Sequence, residues 1–361
     1  MHIDDFINDG VSSLQSGELQ KAKIFFEKAI EIDKNHTGAN NNLGLVHKEL
    51  GDLEKAKECF QKVINIDPFK EKAHNNLGII FLQSGDLINA KKSFEKAISI
   101  KSNYTNAYWN LHGLSSNIDE ALILLNKITL IDENFIKARI IKSVLEACNG
   151  KFDEFDKLNS SSITNHPFMR SVKWFLSLKK LPKIFFDRWS FFDAMIEKSK
   201  KPRPFYEFGV WRGVTFKYFI RRLKKGFGFD TFSGLPESWH HEEKGRYNSF
   251  GSVPKIEGGE FIVGKFEDTL PNFFSTKREL ASIINFDADL YSSTLCALKN
   301  TKGVIDQDTI LIFDEFFMND KWEQDEFKAL NEFCNDYGYA YDVEGVSFFS
   351  KQVAVKLKKN K

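Results

Sequence analysis

The apolar positions along the 361-residue chain change their rhythm partway. In the first part small and large residues recur at a fixed interval: Ala22, Ala56 and Ala90, then Phe26, Phe60 and Phe94, each set 34 residues apart. The triplets "GEL", "GDL" and "GDL" begin at Gly17, Gly51 and Gly85 on the same beat, and Leu43-Gly44 returns as Leu77-Gly78. A constant period of this length predicts stacked copies of one helical hairpin: glycine makes the turn, small residues let helices approach, and large ones fill the gap between units. Pro68 stands where a unit ends, as a residue unable to continue a helix should. Ala121 falls three residues short of the beat, at a shortened turn near Ser116 and Asn117, and Gly150 follows Ala121 by the 29 residues that separate Gly85 from Ala56. The array is therefore expected to run to about residue 158.

Residues 168–200 read as helical and aromatic-rich, and "KSKKPRP" (Lys198–Pro204) is a charged, proline-bearing break. From Phe205 onward short apolar runs alternate with longer mixed segments, the pattern of a parallel sheet flanked by helices. Strands are expected near 204–208, 226–230, 260–263, 281–287, 309–314, 338–343 and 352–357. The predicted organisation is an all-α repeat solenoid over 1–158, a helical lead-in over 159–203, and an α/β Rossmann-like domain over 204–361. Its sheet is expected to be mostly parallel and seven-stranded, with the last strand inserted antiparallel.

Composition narrows the function classes. Lys and Arg number 51 against 50 Asp and Glu, so the formal charge of +1 removes the long-range attraction on which nucleic-acid or anionic-membrane binding rests. Cys59, Cys148, Cys296 and Cys334 form no C-x-x-C pair, which argues against a zinc ribbon or a disulfide framework. "MHIDDFINDG" carries acids where a secretory signal carries lysine or arginine, and no long uncharged apolar run follows; a soluble, cytoplasmic protein is expected.

The 34-residue array resembles the tetratricopeptide repeat, which implies a binding module for a protein or peptide partner. Asn42, Asn76 and Asn110 recur on the helix that lines the concave face of such arrays. Their amides each offer a donor and an acceptor to an extended peptide, or equally serve packing or self-association into a homo-oligomer.

Candidate chemistry lies downstream. In "FYEFGVWRGVTF" a strand ends at Glu207, and Gly209 and Gly213 bracket a turn into a helix starting near Thr215. A dinucleotide fingerprint needs glycine where Trp211 stands, so the turn suits a ligand without pyrophosphate, such as S-adenosylmethionine. Asp230 in "GFDTFSGLP", 23 residues beyond Glu207, is placed to accept ribose hydroxyls, with Ser233 beside it. In "FIVGKFEDTLP" Gly264 allows close approach, and Phe266 packs either on adenine or in the core. "SIINFDADLYSST" ends a strand on Asp287 and Asp289, which share a face if the strand persists, and "DTILIFDEF" ends on Asp314 and Glu315. Four acids converging at the carboxyl ends of neighbouring strands repel unless a cation intervenes, and hard oxygen ligands without His or Cys favour Mg²⁺. The bland alternative is that Asp314 or Glu315 caps a helix.

"EFGVWRG", "GFDTFSGLP", "GKFEDTLP", "DADLYSST" and "LIFDEF", in this order over about residues 165–361, resemble the macrocin O-methyltransferase family. That resemblance implies a class I fold, S-adenosylmethionine and Mg²⁺ dependence, and methylation of a hydroxyl on a sugar or glycosylated small molecule. It implies Asp287, Asp314 and Glu315 as metal ligands and Asp289 as general base; the family usually has Asp-Asp where this chain has Asp314-Glu315. The polar segment Glu237–Val253 reads as a lid, with Trp239 and Tyr247 stacking on the acceptor or anchoring the loop, and His240 and His241 as exposed loop residues. Arg212 meets the cofactor carboxylate or caps the turn. Two other readings stay open: an inactive scaffold whose repeats carry the function, and methylation of a peptide held by the repeats.

Overall fold

A computed structural model describes residues 2–359. The chain forms two compact units, one up to Leu114 together with Ile123–Phe135, the other Ser115–Leu122 together with the chain from Ile136 onward.

The first unit is built from helix pairs. They are α1 (Ile3–Gln15) with α2 (Leu19–Ile32), α3 (Thr37–Glu49) with α4 (Leu53–Ile66), and α5 (Glu71–Ser84) with α6 (Leu87–Ile100). A shorter α7 (Thr105–His112) precedes α8 (Ile118–Ile131), so the contracted turn falls where the sequence spacing places it. Gly17, Gly51 and Gly85 have φ of 77°, 71° and 82°, a conformation that glycine alone adopts without strain. Within each of the first three pairs a glycine on the first helix receives a phenylalanine ring from the second. A Cβ at Gly10, Gly44 or Gly78 would lie 2.6, 2.7 or 2.5 Å from Phe26, Phe60 or Phe94, and all three rings are fully buried. The missing side chain thus determines how closely the helices pack.

The asparagines tie neighbouring repeats together. Asn76 Nδ2 donates to Asn41 Oδ1 at 3.1 Å, and Asn110 Nδ2 donates to Asn75 Oδ1 at 2.9 Å, linking α3 to α5 and α5 to α7. One amide proton of each is therefore occupied within the array.

The second unit opens with α9 (Ile136–Cys148), α10 (Asp153–Asn159) and α11 (Pro167–Leu176). There follow β1 (Lys183–Phe185), α12 (Arg188–Lys198), β2 (Phe205–Phe208), α13 (Val214–Leu223), β3 (Gly226–Asp230), β4 (Gly259–Val263) and α14 (Phe266–Phe273). Then come β5 (Ile283–Phe286), α15 (Tyr291–Thr301), β6 (Ile310–Phe313), α16 (Glu326–Tyr337), β7 (Tyr339–Ser347) and β8 (Val353–Lys359). All seven expected strands are present, but the sheet is mixed and eight-stranded, in the order β1-β7-β8-β6-β5-β2-β3-β4. The addition is β1, inside the stretch read as wholly helical. Three residues carry too little pattern to announce a strand, and this one exists through parallel pairing of Lys183, Ile184 and Phe185 with Gly345, Val346 and Ser347 of β7. β8 runs antiparallel to both β6 and β7.

One row of phenylalanines determines the height of the site. Phe229, Phe208, Phe286 and Phe313 are register partners across β3, β2, β5 and β6. Their rings stack at 4.8, 5.5 and 4.9 Å with interplanar angles of 12–15°. Each is followed directly by a candidate site residue, respectively Asp230, Gly209, Asp287 and Asp314. The chain reverses its winding between β2 and β5, which makes their carboxyl ends a topological switch point, the place where open α/β sheets bind ligands.

Candidate active site

The turn after β2 is held by backbone geometry and by one carboxylate. Gly209 has φ of 89°, and a Cβ there would lie 1.8 Å from the Asp287 carbonyl oxygen, so no other residue fits. Gly213 (φ 72°) leads into α13, where Thr215 is half-buried in the first turn. Asp230 Oδ2 accepts the N–H groups of Val210 and Trp211, both at 2.7 Å, and Oδ1 accepts that of Phe232 at 2.7 Å. The residue expected to meet ribose hydroxyls is thereby a staple across the turn, with about one of its four lone-pair sites left over. Gly264 (φ 142°) donates its N–H to the Asp230 carbonyl at 3.0 Å, Ser233 is exposed, and half-buried Phe266 stands edge-on to Phe208 at 5.6 Å. Phe266 thus contacts the aromatic row of the core.

Glu207 lies beneath this turn, wholly buried. Its Oε1 accepts Asn285 Nδ2 at 3.0 Å, whereas Oε2 has no hydrogen-bond partner among the described residues. Burial raises its pKa well above the usual carboxylate range, against the opposing effect of the Asn285 bond.

The acids are reached differently from the expectation. β5 ends at Phe286, and Asp289 adopts φ of 58°, so strand alternation does not align Asp287 with Asp289; a left-handed kink brings them near each other. Both are half-buried. Burial, then the charges of Asp314 and Asp289, raise Asp287 well above the normal range; burial, then Glu315 and Asp314, do the same for Asp289. Glu326, the first residue of α16, joins them: it is fully buried, its Oε2 accepts the Glu315 N–H at 3.1 Å, and its Oε1 has no partner among the described residues. Burial and then Asp314, Asp289 and Asp287 raise its pKa too.

Two cations answer this charge, and both come from segments without a sequence signal. Arg188, at the start of α12, places Nη2 3.4 Å from Asp314 Oδ2. Lys351, in the β7–β8 turn, donates to Glu315 Oε1 at 3.1 Å and Oε2 at 2.8 Å. Its neighbour Gln352 donates to Asp314 Oδ1 at 2.5 Å. Of the assigned metal ligands, Asp314 and Glu315 therefore have all four oxygens engaged by protein donors. Among the described residues no three His, Cys, Asp or Glu side chains come together as a metal site. As arranged, the trio Asp287, Asp314 and Glu315 does not fit a Mg²⁺ ion, because a guanidinium stands against Asp314 and an ammonium against Glu315 where the divalent charge would have to sit.

In the segment 237–253 the two histidines part company. His241 is exposed, as read, but His240 is not: its Nε2 lies 2.7 Å from Asp325 Oδ2 with both side chains about 10% accessible, so it fastens the loop to the residue preceding α16. Tyr247 packs edge-on to Trp211 at 5.7 Å, and burial followed by the Asp289 charge raises its pKa. Arg212 is exposed, its guanidinium 5.9 Å from the Trp211 ring.

Residues 10–36, 37–70 and 71–104 match the tetratricopeptide repeat, so the amino-terminal region carries such repeats. No curated protein matches the chain. Among solved structures, the MamA protein is 22% identical, with 43% of this chain and 86% of that one covered and a TM-score of 0.37. PilF of Pseudomonas aeruginosa is 20% identical, covering 43% and 72%, with a TM-score of 0.41. CalS11, a calicheamicin methyltransferase, is 19% identical, covering 56% and 89%, with a TM-score of 0.39. At these values none of the three carries a functional conclusion. No described helix is long and apolar enough to cross a membrane.

Proposed function

We propose that the α/β unit is an S-adenosylmethionine-dependent O-methyltransferase acting on a hydroxyl of a sugar or glycosylated small molecule, and that the repeats engage a protein or peptide partner. The observation that carries this reading is the gathering of the glycine-bracketed turn, Asp287 and Asp289 at the switch point between β2 and β5. The cofactor would lie against Glu207, Gly209, Gly213 and Gly264, with the hydroxyls of Thr215 and Ser233 nearby. Its cationic groups suit Glu207 Oε2, which is buried beneath the turn without a partner among the described residues. Bound there, the sulfonium supplies an electrophilic methyl group and departs as a neutral thioether.

The rest belongs to the chain's own residues. Asp289 accepts the acceptor's hydroxyl proton as the oxygen–carbon bond forms and the carbon–sulfur bond breaks. Trp211 and Tyr247 wall the acceptor side, and alignment of the two reactants supplies much of the acceleration. The Mg²⁺ that the resemblance implies enters no step, because Asp314 and Glu315 are already engaged.

Calorimetric titration with S-adenosylhomocysteine and a screen of nucleotide sugars for methyl uptake test the reading. Asp289→Asn is expected to lower turnover by about 10²–10⁴-fold while leaving S-adenosylhomocysteine affinity within about twofold. Absence of cofactor binding to the wild-type chain, or full turnover by the variant, overturns it.

A further inference from the structure

We infer that Arg188 and Lys351 are built-in counter-ions that occupy the acid pair Asp314-Glu315 in place of a divalent cation. The inference goes beyond the methyl-transfer reading and stands or falls separately from it, since it concerns which cation the acids hold.

Three observations carry it. First, the pairing is complete: Lys351 meets both oxygens of Glu315, while Arg188 and Gln352 each take one oxygen of Asp314. Second, the lysine is placed by the backbone. It holds φ of 67°, its N–H donates to the Ser347 carbonyl at 2.8 Å, and Ser347 in turn donates its N–H to the Gln352 carbonyl at 2.9 Å. A non-glycine residue in the left-handed region is strained and persists where the surroundings over-determine it. Here they are the β7–β8 turn and the antiparallel register of β8. Third, Arg188 is anchored in the same manner from the other side. Asp187 caps α12 through the N–H groups of Trp189 and Ser190, at 2.9 and 2.8 Å, and so holds the first helical residue towards Asp314.

A divalent ion and an ammonium group on one carboxylate repel each other, so Mg²⁺ entry at Glu315 requires Lys351 to leave. Removing the ammonium frees two oxygens and leaves Glu315 beside Asp314 without its counter-charge, which is the state that attracts a metal.

Mn²⁺ is the probe, followed by electron paramagnetic resonance and calorimetry on the full chain, with circular dichroism as the folding control. Wild type is expected to show no saturable Mn²⁺ binding that Asp314→Asn abolishes. Lys351→Met is expected to gain at least about tenfold in Mn²⁺ affinity. A Lys351→Met protein that folds only with Mg²⁺ present supports the inference in the same way. Wild-type binding lost in Asp314→Asn overturns it. So does a folded Lys351→Met protein with no gain, or one that stays unfolded whether or not Mg²⁺ is added. None of these readouts involves turnover, so a failed methyl-transfer assay leaves the result legible.

Discussion

Gly78→Ala is the substitution whose outcome the repeat geometry determines most tightly. An alanine Cβ at this position would lie 2.5 Å from Phe94 Cε1, 2.7 Å from Cδ1 and 3.0 Å from Cζ. Ordinary carbon–carbon contact is about 3.5–4.0 Å, so ring and helix must separate by about 1 Å. Overpacking of this kind costs about 1–3 kcal/mol, offset by the gain of about 1 kcal/mol that alanine brings to a helix interior. The expected net loss is about 0–2 kcal/mol. Phe94→Leu alone also destabilises, because a fully buried ring leaves a cavity. Together the two changes should compensate, since the new methyl enters the space vacated by the ring, with a favourable coupling of at least about 1 kcal/mol.

The chain contains its own version of this exchange. Gly10, Gly44 and Gly78 continue at the 34-residue period to His112, while Phe26, Phe60 and Phe94 continue, less the three-residue contraction, to Leu125; both are buried. The large residue has moved to the first helix as the phenylalanine on the second gave way to leucine. Urea denaturation of the four proteins of the cycle, read by hydrogen exchange at α5 and α6 amides, measures the coupling locally. Additive single effects, or a Gly78→Ala protein stabilised by the full propensity gain, would refute the packing argument.

Other outcomes follow from named groups. Burial holds the His112 pKa down to about 4 from 6.5, so the imidazole is neutral in the fold while the unfolded chain takes up a proton as pH falls through 6.5. Stability is therefore lost between these two values, by up to about 3 kcal/mol. Hydrogen exchange at α7 amides should accelerate over that window, and His112→Gln should flatten the dependence. Asp230→Asn loses an acceptor of N–H groups and should cost about 2–3 kcal/mol, seen in urea denaturation and in faster exchange at Val210 and Trp211. Glu207→Gln keeps shape and replaces a carboxyl whose charged form burial already disfavours, so stability should change by less than about 1 kcal/mol while S-adenosylhomocysteine affinity falls about tenfold in calorimetry.

The repeat half was legible because its rules are local and repeated. Gly17, Gly51 and Gly85 each need a left-handed turn, and a 34-residue period states the same packing solution three times over. What the Asn positions do was less accessible. Asn42, Asn76 and Asn110 recur, but the bonds run from Asn76 to Asn41 and from Asn110 to Asn75, a spacing of 35 residues that crosses between helices. Strands from Phe205 onward announced themselves by fully buried apolar runs such as "IINF" and "ILIF". β1 did not, since its three residues are a strand only by virtue of β7, more than 150 positions away.

The site divides along the same line between local and distant causes. Residues that end a strand could be found from sequence, because a buried run that stops on Asp287 or Asp314 marks the carboxyl end of a strand wherever that strand lies in the order. The partners of those residues could not. Arg188 is 126 residues from Asp314 and Lys351 is 36 from Glu315, and neither stands in a pattern that distinguishes it from any other surface cation. Four acids read without their neighbours invite a metal; with Arg188 against Asp314 and Lys351 against Glu315, two of the four already have a cation. The inference from carboxylates to Mg²⁺ therefore turned on charge balance, a property of the folded neighbourhood that no spacing along the chain encodes. Asp230 shows the converse: a residue placed at a strand end as expected, whose oxygens also accept three backbone N–H groups, a stapling of the turn that position alone did not show.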